Sequence, residues 1–231
     1  MSSISHRLAQ IALEIKAIKL NPKNPFTWVS GYRMPIYNDN RLLLGNYEHR
    51  DLVAQGFIDL ITHNEIPYEV IAGTATAGIP FGMTLADRLK SPFVYVRDKP
   101  KGHGAGKRVE GFLRAGQRVL LVEDLISMGT SSTSALEALR AEGAVAETCL
   151  SIFNYEFQEF RDAFTKINVA LHSLLGFAEL LQVAQENAYI SDAEYELLRS
   201  WSSEPTLWGE KHGFRRVVKE EVRPSEALPR T

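Results

Sequence analysis

The sequence predicts an α/β protein: a central parallel sheet flanked by helices, with a small N-terminal hood. From residue 69 onward, short apolar runs alternate with segments of helical periodicity, which is typical of βαβ units. The run at 119–122 is continuously apolar, as strands buried on both faces of a parallel sheet are. A chain of 231 residues is long enough to bury one full α/β core.

The individual elements follow from the apolar spacing. Amphipathic helices are predicted over Ser5–Ile18 and Tyr47–Asn64. The alternating part then reads, in order, as strand 69–72, helix 79–89, strand 93–96, strand 118–122, a helix ending near residue 143, strand 145–153, helix 156–164, strand 168–175 and one or two C-terminal helices. We divide the chain into an N-terminal helix and hood (1–45), a core (46–200) and a partly flexible C-terminal extension (201–231).

Composition restricts the classes of function. The chain is 45% hydrophobic and 23% charged with a net charge of −2, which argues against a general nucleic-acid binder. Its single cysteine, Cys149, cannot form an internal disulfide, and this favours a reducing cytoplasm. No apolar stretch has membrane-spanning length. We therefore expect a cytoplasmic protein with neither a nucleic-acid nor a membrane partner.

The segment VLLVEDLISMGTSS at 119–132 combines an apolar strand, two acids and a turn of small residues that opens a helix. Glu123 and Asp124 are expected at the carboxyl end of the strand, where open α/β sheets bind ligands. Carboxylates accept hydrogen bonds from sugar hydroxyls and hold hydrated Mg²⁺, whereas a helix start with free N–H groups suits a phosphate. The segment thus predicts a sugar-phosphate site; the alternative is a pair of solvated carboxylates.

Two further segments suit anionic groups. GTATAG at 73–78 follows a predicted strand, and its small residues let successive backbone N–H groups approach an anion. RDKPKGHGAGKR at 97–108 is a long, glycine-rich cationic loop, which indicates a lid that closes on a strongly anionic group. The alternative for this loop is a solvated basic segment. A zinc site is disfavoured because His103 has no cysteine or nearby histidine partner.

FTWVSGYRMPIYNDNR at 26–41, called the hood from here on, mixes aromatic residues with two arginines. One interpretation is a cover for a planar ligand, in which Tyr37 supplies an apolar face while Arg33 and Arg41 meet acid groups. The other is an arm that packs on the core, a role that suits Phe26 and Trp28.

Taken in their order along the chain, these four segments resemble those of type I phosphoribosyltransferases, and among them the orotate phosphoribosyltransferases. Glu123–Ser131 is similar to the family's motif for 5-phosphoribosyl 1-diphosphate (PRPP), and Lys99–Gly104 to its flexible catalytic loop. The 71–80 segment resembles the pyrophosphate loop, and 26–41 the N-terminal hood. The resemblance implies Mg²⁺-dependent transfer of the phosphoribosyl group from PRPP to orotate, giving orotidine 5′-monophosphate and pyrophosphate.

The resemblance also implies a role for each matching residue. The pyrophosphate would meet the backbone of Thr74, Ala75, Thr76, Ala77 and Gly78. Arg97, Lys101 and His103 would be catalytic and close over it from a loop that reaches the neighbouring subunit's site, which implies a homodimer. Glu123 and Asp124 would hold the ribose, with Asp124 also catalytic and binding Mg²⁺ through water. The 5-phosphate would be bound by Leu125, Ile126, Ser127, Met128, Gly129, Thr130 and Ser131. Orotate would lie against Ser127 and Tyr37.

The chain departs from the family pattern at three places. Val29 stands where many members have a lysine, and Asp98 where many have a second basic residue. Asn154 and Tyr155 stand near the position of an orotate-binding arginine of some members. Recognition of the orotate carboxylate is therefore left partly unassigned. Two alternatives stay open: a phosphoribosyltransferase acting on a purine or uracil, and a non-catalytic regulator that senses PRPP.

Overall fold

The computed structural model of the chain describes residues 3–100, 107–127 and 130–217. The strands in these ranges are β1 Ile18–Leu20, β2 Phe26–Thr27, β3 Arg33–Met34, β4 Ile36–Asn38, β5 Val70–Thr74, β6 Phe93–Val96, β7 Val109–Glu110, β8 Arg118–Ile126, β9 Val145–Asn154 and β10 Ala170–Gly176. The α-helices are α1 Ile4–Glu14, α2 Tyr47–His63, α3 Gly78–Leu89, α4 Thr130–Ala141, α5 Gln158–Lys166, α6 Phe177–Glu186, α7 Asp192–Ser203 and α8 Pro205–Lys211. A 3-10 helix covers Asn40–Gly45.

The main sheet confirms the predicted fold class. Over the described ranges its strand order is β10-β9-β8-β5-β6-β7, and all neighbours are parallel except β6 and β7. From β5 the chain first goes to β6 on one side, and later places β8, β9 and β10 on the other. The direction of winding therefore reverses between β5 and β8. In open α/β sheets, a ligand crevice lies outside the carboxyl ends of the strands at such a reversal.

The core is built on the two strands that flank this reversal. Val70, Ile71 and Ala72 of β5 are fully buried, as are the apolar residues 119–122 of β8. Helix α3 packs against β5 and β8, and α4 packs against β8 and β9. Because both strands are fixed by packing, the segments that leave their carboxyl ends have fixed starting points.

The hood contains β2, β3 and β4. Strands β2 and β3 form one small antiparallel pair, and β4 forms a second with β1, which precedes the hood. The C-terminal helices support it through Trp201 of α7, which is fully buried. The ring centroid of Trp201 lies 6.3 Å from that of Trp28 and 5.4 Å from that of Tyr155. Its indole Nε1 donates to Sδ of Met34 at 3.2 Å. The hood is thus held between the core and the C-terminal helices.

Three element predictions need correction. Helix α1 ends at Glu14 instead of Ile18, because Lys16 takes a positive φ of 60° and β1 then pairs with β4. Strand β8 continues past the two acids, since its last residues pair with the end of β9. The long loop after β6 contains a short strand, β7, which returns along β6.

Three further predictions concern the domain boundaries, the single cysteine and the lack of membrane-spanning segments. The division into hood, core and C-terminal extension stays a prediction, and α7 runs through its second boundary. Cys149 is a free, fully buried thiol on β9, as its position in an apolar strand indicates. In the part of the chain that the structure describes, every helix is too short or too polar to cross a membrane.

Candidate active site

A cavity of about 320 Å³ lies at the reversal between β5 and β8. We call it the acidic cavity. Its lining comes from the turn after β5, from β8 with the start of α4, and from the hood; the residues are Ala75, Thr76 and Ala77, then Glu123, Asp124, Leu125 and Ser131, then Asn38, Asp39 and Arg41. The turn after β5 and the acids Glu123 and Asp124, which are predicted to bind one ligand, therefore meet in one cavity.

The turn after β5 brings the backbone close to β8. Its Ala75–Thr76 peptide bond is cis, and the amide of Ala75 donates to the carbonyl O of Val96 at 2.8 Å. A Cβ at Gly78 would overlap Oγ1 of Thr74 and the backbone O of Val122. Glycine at position 78 is therefore required for α3 to start so close to the two strands.

Glu123 is turned into the protein and is only 6% exposed. Its Oε1 accepts from Oγ1 of Thr74 at 2.7 Å and from the amide of Asp124 at 3.1 Å. Its Oε2 accepts from Oγ of Ser132 at 3.2 Å. Burial, followed by the charge of Asp124, raises the pKa of Glu123 to about 8. Thr74, whose backbone is predicted to meet the pyrophosphate, and Glu123, predicted to hold the ribose, thus bind each other through their side chains in this structure.

Ser132 is a residue that sequence reasoning did not single out. It is 1% exposed and follows Ser131, the last residue of the predicted motif. A signal was present, because a second hydroxyl residue in the first turn of a helix can donate to a nearby buried acid. The partner, however, lies nine positions earlier in the chain, and helical or strand spacing does not reveal it.

Asp124 lines the acidic cavity, and burial raises the pKa of its carboxyl group. The backbone O of Asp124 accepts from Nδ2 of Asn40 at 2.7 Å. On the hood side of the cavity, Arg41 donates to Asp39, and this hydrogen bond lowers the pKa of Asp39. Both predicted acids line the cavity, and Glu123 is also bound from the protein side by Thr74, Ser132 and the amide of Asp124.

The first turn of α4 has no acidic residue, and the first amides of an α-helix have no partner within the helix. An anion at this end would therefore meet the positive end of the helix dipole without a competing carboxylate. Ser131 lines the acidic cavity, whereas the side chain of Ile126 is fully buried in the core. Two residues predicted to bind the 5-phosphate, Met128 and Gly129, lie outside the described residues.

A second cavity of about 340 Å³ adjoins the first, because Asn38 and Leu125 line both. We call it the aromatic cavity. Rings of Trp28, Tyr37 and Tyr155 form much of its wall. Nε1 of Trp28 donates to the carbonyl O of Ile36 at 2.9 Å, which fixes the indole. Its volume falls within the range of small-molecule sites, about 300–1,000 Å³.

Of the cationic residues predicted to bind ligands, some contact other parts of the protein and others lie outside the described residues. Nη1 of Arg97 lies 3.3 Å from Oε1 of Glu110, where β6 and β7 pair. Lys101 and His103 lie outside the described residues. Nη2 of Arg33 donates to the carbonyl O of Pro25 at 2.8 Å, and its guanidinium lies 5.8 Å from the ring centre of Phe214. Arg33 therefore contacts the protein itself instead of an acid group.

The donor set suits a magnesium ion bound together with a phosphorylated substrate. Within residues 3–100, 107–127 and 130–217, no three His, Cys, Asp or Glu side chains are grouped to hold a metal. Mg²⁺ commonly keeps several waters and takes one or two carboxylates plus substrate phosphates. The carboxylate of Asp124 is available for that arrangement, since it lines the cavity.

Comparisons with known proteins agree with this geometry. A family model of the phosphoribosyl transferase domain matches residues 48–170. The orotate phosphoribosyltransferase of Lactococcus lactis subsp. cremoris is 45% identical over 206 residues, which are 89% of this chain and 99% of that protein. That of Cutibacterium acnes is 41% identical over 211 residues, 91% of this chain and 98% of that protein. The crystal structure of orotate phosphoribosyltransferase from Aeropyrum pernix is similar with a TM-score of 0.69 at 27% identity, covering 80% and 99% of the two chains. With the two cavities at the sheet reversal, these similarities show that the chain belongs to the orotate phosphoribosyltransferase family.

Proposed function

We propose that the protein transfers the 5-phosphoribosyl group of PRPP to N1 of orotate, giving orotidine 5′-monophosphate and pyrophosphate for pyrimidine nucleotide synthesis. The observation that carries the proposal is the pair of adjoining cavities, one lined by two acids and the turn after β5, and one lined by aromatic rings. A sugar diphosphate and a planar base need these two environments side by side.

The acidic cavity offers a partner for each part of PRPP. We assign the backbone of the turn 74–78 to the pyrophosphate and the start of α4 to the 5-phosphate, because both segments reach this cavity. Between them, the carboxylate of Asp124 can accept hydrogen bonds from the ribose hydroxyls. Glu123, which binds Thr74 and Ser132, holds the two phosphate-binding segments together beneath the ribose.

The aromatic cavity offers flat apolar walls for the pyrimidine ring. Tyr37 lies on the hood side, and Tyr155 and Ser127 lie on the core side. The ring of Tyr155 stacks on that of Phe157, with centroids 5.5 Å apart and planes inclined by 12°. A base held between these walls would present N1 toward the neighbouring acidic cavity.

The reaction then follows from these positions. The C1–O bond to pyrophosphate breaks, the bond from orotate N1 to C1 forms on the opposite face, and the N1 proton passes to the departing pyrophosphate. The transition state resembles an oxocarbenium ion, as in other glycosyl transfer. Negative charge develops on the pyrophosphate, so Arg97, Lys101 and His103 act as electrostatic stabilisers. Mg²⁺ bound with PRPP supplies further charge neutralisation there.

The proposal includes the setting of the reaction. The basic loop 97–108 would close over the pyrophosphate of the neighbouring subunit, so the active unit would be a homodimer. The cytoplasm is the proposed location, and PRPP and orotate are the proposed partners. In this scheme the carboxylate of Asp124 holds the ribose, and neither Asp124 nor Glu123 acts as an acid–base catalyst.

The direct test is to follow the absorbance of orotate after adding PRPP and Mg²⁺ to the purified protein. We expect a steady fall with wild type and a strongly reduced rate with Asp124→Asn. A panel of adenine, hypoxanthine, guanine and uracil tests the alternative acceptors. Turnover of one of these bases without turnover of orotate would refute the orotate assignment, and no turnover with any base would favour a non-catalytic PRPP binder.

A further inference from the structure

Asn38 carries two polar atoms that the fold leaves without a partner. Among the described residues, neither Nδ2 nor Oδ1 has a hydrogen-bond partner, and both atoms are shielded from solvent. A buried polar group without a partner destabilises the folded protein, because it has lost its hydrogen bonds to water. The amide has no evident structural function to offset this, because the backbone of Asn38 alone pairs with Ile18 of β1. A partner that arrives with the ligand would account for the amide.

The position of Asn38 limits what that partner can be. It lines both cavities, so it lies where the base meets the ribose. The terminal amide torsion is broad, and the amide can turn toward either cavity with small energetic cost. The groups that flank N1 of orotate are the C2 carbonyl and the carboxylate on C6. Asn38 therefore faces one of these two.

The chemistry of the amide distinguishes the two groups. A carboxylate only accepts hydrogen bonds, and would satisfy Nδ2 while leaving Oδ1 without a donor. The C2 carbonyl stands next to N3–H, and this edge both accepts and donates. Because both atoms of Asn38 lack a partner, the lactam edge C2=O/N3–H is the complement that satisfies both.

We propose that the carboxamide of Asn38 pairs with the C2=O/N3–H edge of orotate and thereby selects the base. The inference rests on the proposed function, which it deepens by naming a residue that reads the pyrimidine. The resemblance to the family assigned orotate to Tyr37 and Ser127, and neither supplies a paired donor and acceptor of this kind. Asn38 acts as a binding residue for the ground state and the transition state alike.

The first test compares Asn38→Leu with the matched control Asn24→Leu, which changes an exposed asparagine at the hood's N-terminal side. Loss of two neutral hydrogen bonds should raise the KM for orotate by about 10- to 100-fold. The KM for PRPP should stay within about twofold of wild type, because the hydrogen bonds that are removed go to orotate and not to PRPP. Asn24→Leu should leave both constants unchanged.

A second readout separates recognition from a structural function. Asn38→Leu removes two unpartnered polar atoms from the free protein, so its melting temperature without substrate should equal or exceed that of wild type. A residue that merely supported the hood would show a lower melting temperature. A fall in melting temperature together with an unchanged KM for orotate would overturn the proposal.

The edge itself is tested with 2-thio-orotate, in which sulfur replaces the C2 oxygen and accepts hydrogen bonds weakly. Wild type should discriminate against the thio compound, and Asn38→Leu should lose most of that discrimination. Asn38→Leu could instead keep the discrimination against 2-thio-orotate and lose the discrimination against uracil, which lacks the carboxylate. That result would show that Asn38 binds the carboxylate and that the proposal is wrong. Absence of orotate turnover by wild type would refute the proposed function; turnover with an unaltered Asn38→Leu variant would refute this inference alone.

Discussion

The side-chain amide of Asn40 donates to the backbone O of Asp124 at 2.7 Å, although the two residues are 84 positions apart. Asn40, near the end of the hood, opens the 3-10 helix Asn40–Gly45 and is 1% exposed. Asp124 is one of the two acids that line the acidic cavity. The hydrogen bond therefore couples the position of the hood, proposed to cover the base, to the position of Asp124, proposed to hold the ribose.

Removing this hydrogen bond should weaken both folding and catalysis. For Asn40→Ala, a buried carbonyl loses its donor, and we expect the free energy of unfolding to fall by about 1–3 kcal/mol. The KM for PRPP should rise, because the Asp124 segment loses its anchor. Urea denaturation and steady-state kinetics measure the two effects. Asn24→Ala, which alters an exposed asparagine, should show neither, and equal behaviour of the two variants would contradict the coupling.

The buried carboxyl of Glu123 should make stability depend on pH. Burial and the neighbouring charge of Asp124 raise its pKa from 4.5 to about 8. The folded state then binds the proton more tightly than the unfolded state, so stability is full below about pH 4.5 and is lost as pH rises through about 8. One proton gives a slope of at most about 1.4 kcal/mol per pH unit.

Glu123→Gln should remove this component, since an amide does not titrate. We expect wild type to lose unfolding free energy relative to Glu123→Gln as pH rises. Urea denaturation of both proteins from pH 5 to 9 measures this difference. Glu137→Gln, at an exposed position on α4, provides the matched control. A pH-independent difference between wild type and Glu123→Gln would contradict the raised pKa.

The sequence predicts the strands and both ligand segments because their signals are local. Apolar runs mark β5 and β8, and small residues mark the turns that leave them. The contacts that fix the site are not local. Thr74 meets Glu123 across 49 positions. Such pairs depend on sheet register and on the path of the hood, which no residue pattern encodes. The contribution of Trp201 to the hood was missed for the same reason.

Gly31 should be essential for the contact between the hood and the C-terminal residues 216 and 217. Its carbonyl O accepts from the amide of Val217 at 2.9 Å, and its φ is +82°. A Cβ at this position would overlap the backbone O of Val217. Nearby, Nη2 of Arg216 donates to the carbonyl O of Ser30 at 3.0 Å. Gly31→Ala combines a clash with an unfavourable φ, so it should displace the segment and loosen the hood.

The expected results for Gly31→Ala are a higher KM for orotate and faster cleavage by trypsin after Arg215 or Arg216. The matched control is Gly45→Ala, because a Cβ at Gly45 would meet no atom within 4 Å. Limited proteolysis followed by mass spectrometry locates the cut. Protection equal to that of Gly45→Ala would show that residues 216 and 217 do not hold the hood in solution.

The basic loop should matter more for turnover than for binding. Lys101 is proposed to stabilise charge that develops on the pyrophosphate, and removal of one such preorganised contact commonly lowers the rate by about 10²–10³. Lys101→Ala should therefore lower kcat strongly, with a smaller change in the Kd for PRPP measured by calorimetry. Lys90→Ala, at the end of α3, is the control for loss of a cation. An unchanged kcat would remove Lys101 from the catalytic group.

Mixing two inactive variants tests whether the loop serves the neighbouring subunit. In a dimer of Lys101→Ala with Asp124→Asn, a loop acting in trans leaves one site with both residues intact and the other with neither. Free exchange of subunits in an equal mixture makes about half of the dimers hybrid, so activity should recover to about a quarter of wild type. Two different affinity tags, purified in succession, isolate the hybrids and should raise this to about half. Hybrids as inactive as their parents would show that each loop closes on its own subunit, because a loop acting in cis leaves each site with one defect.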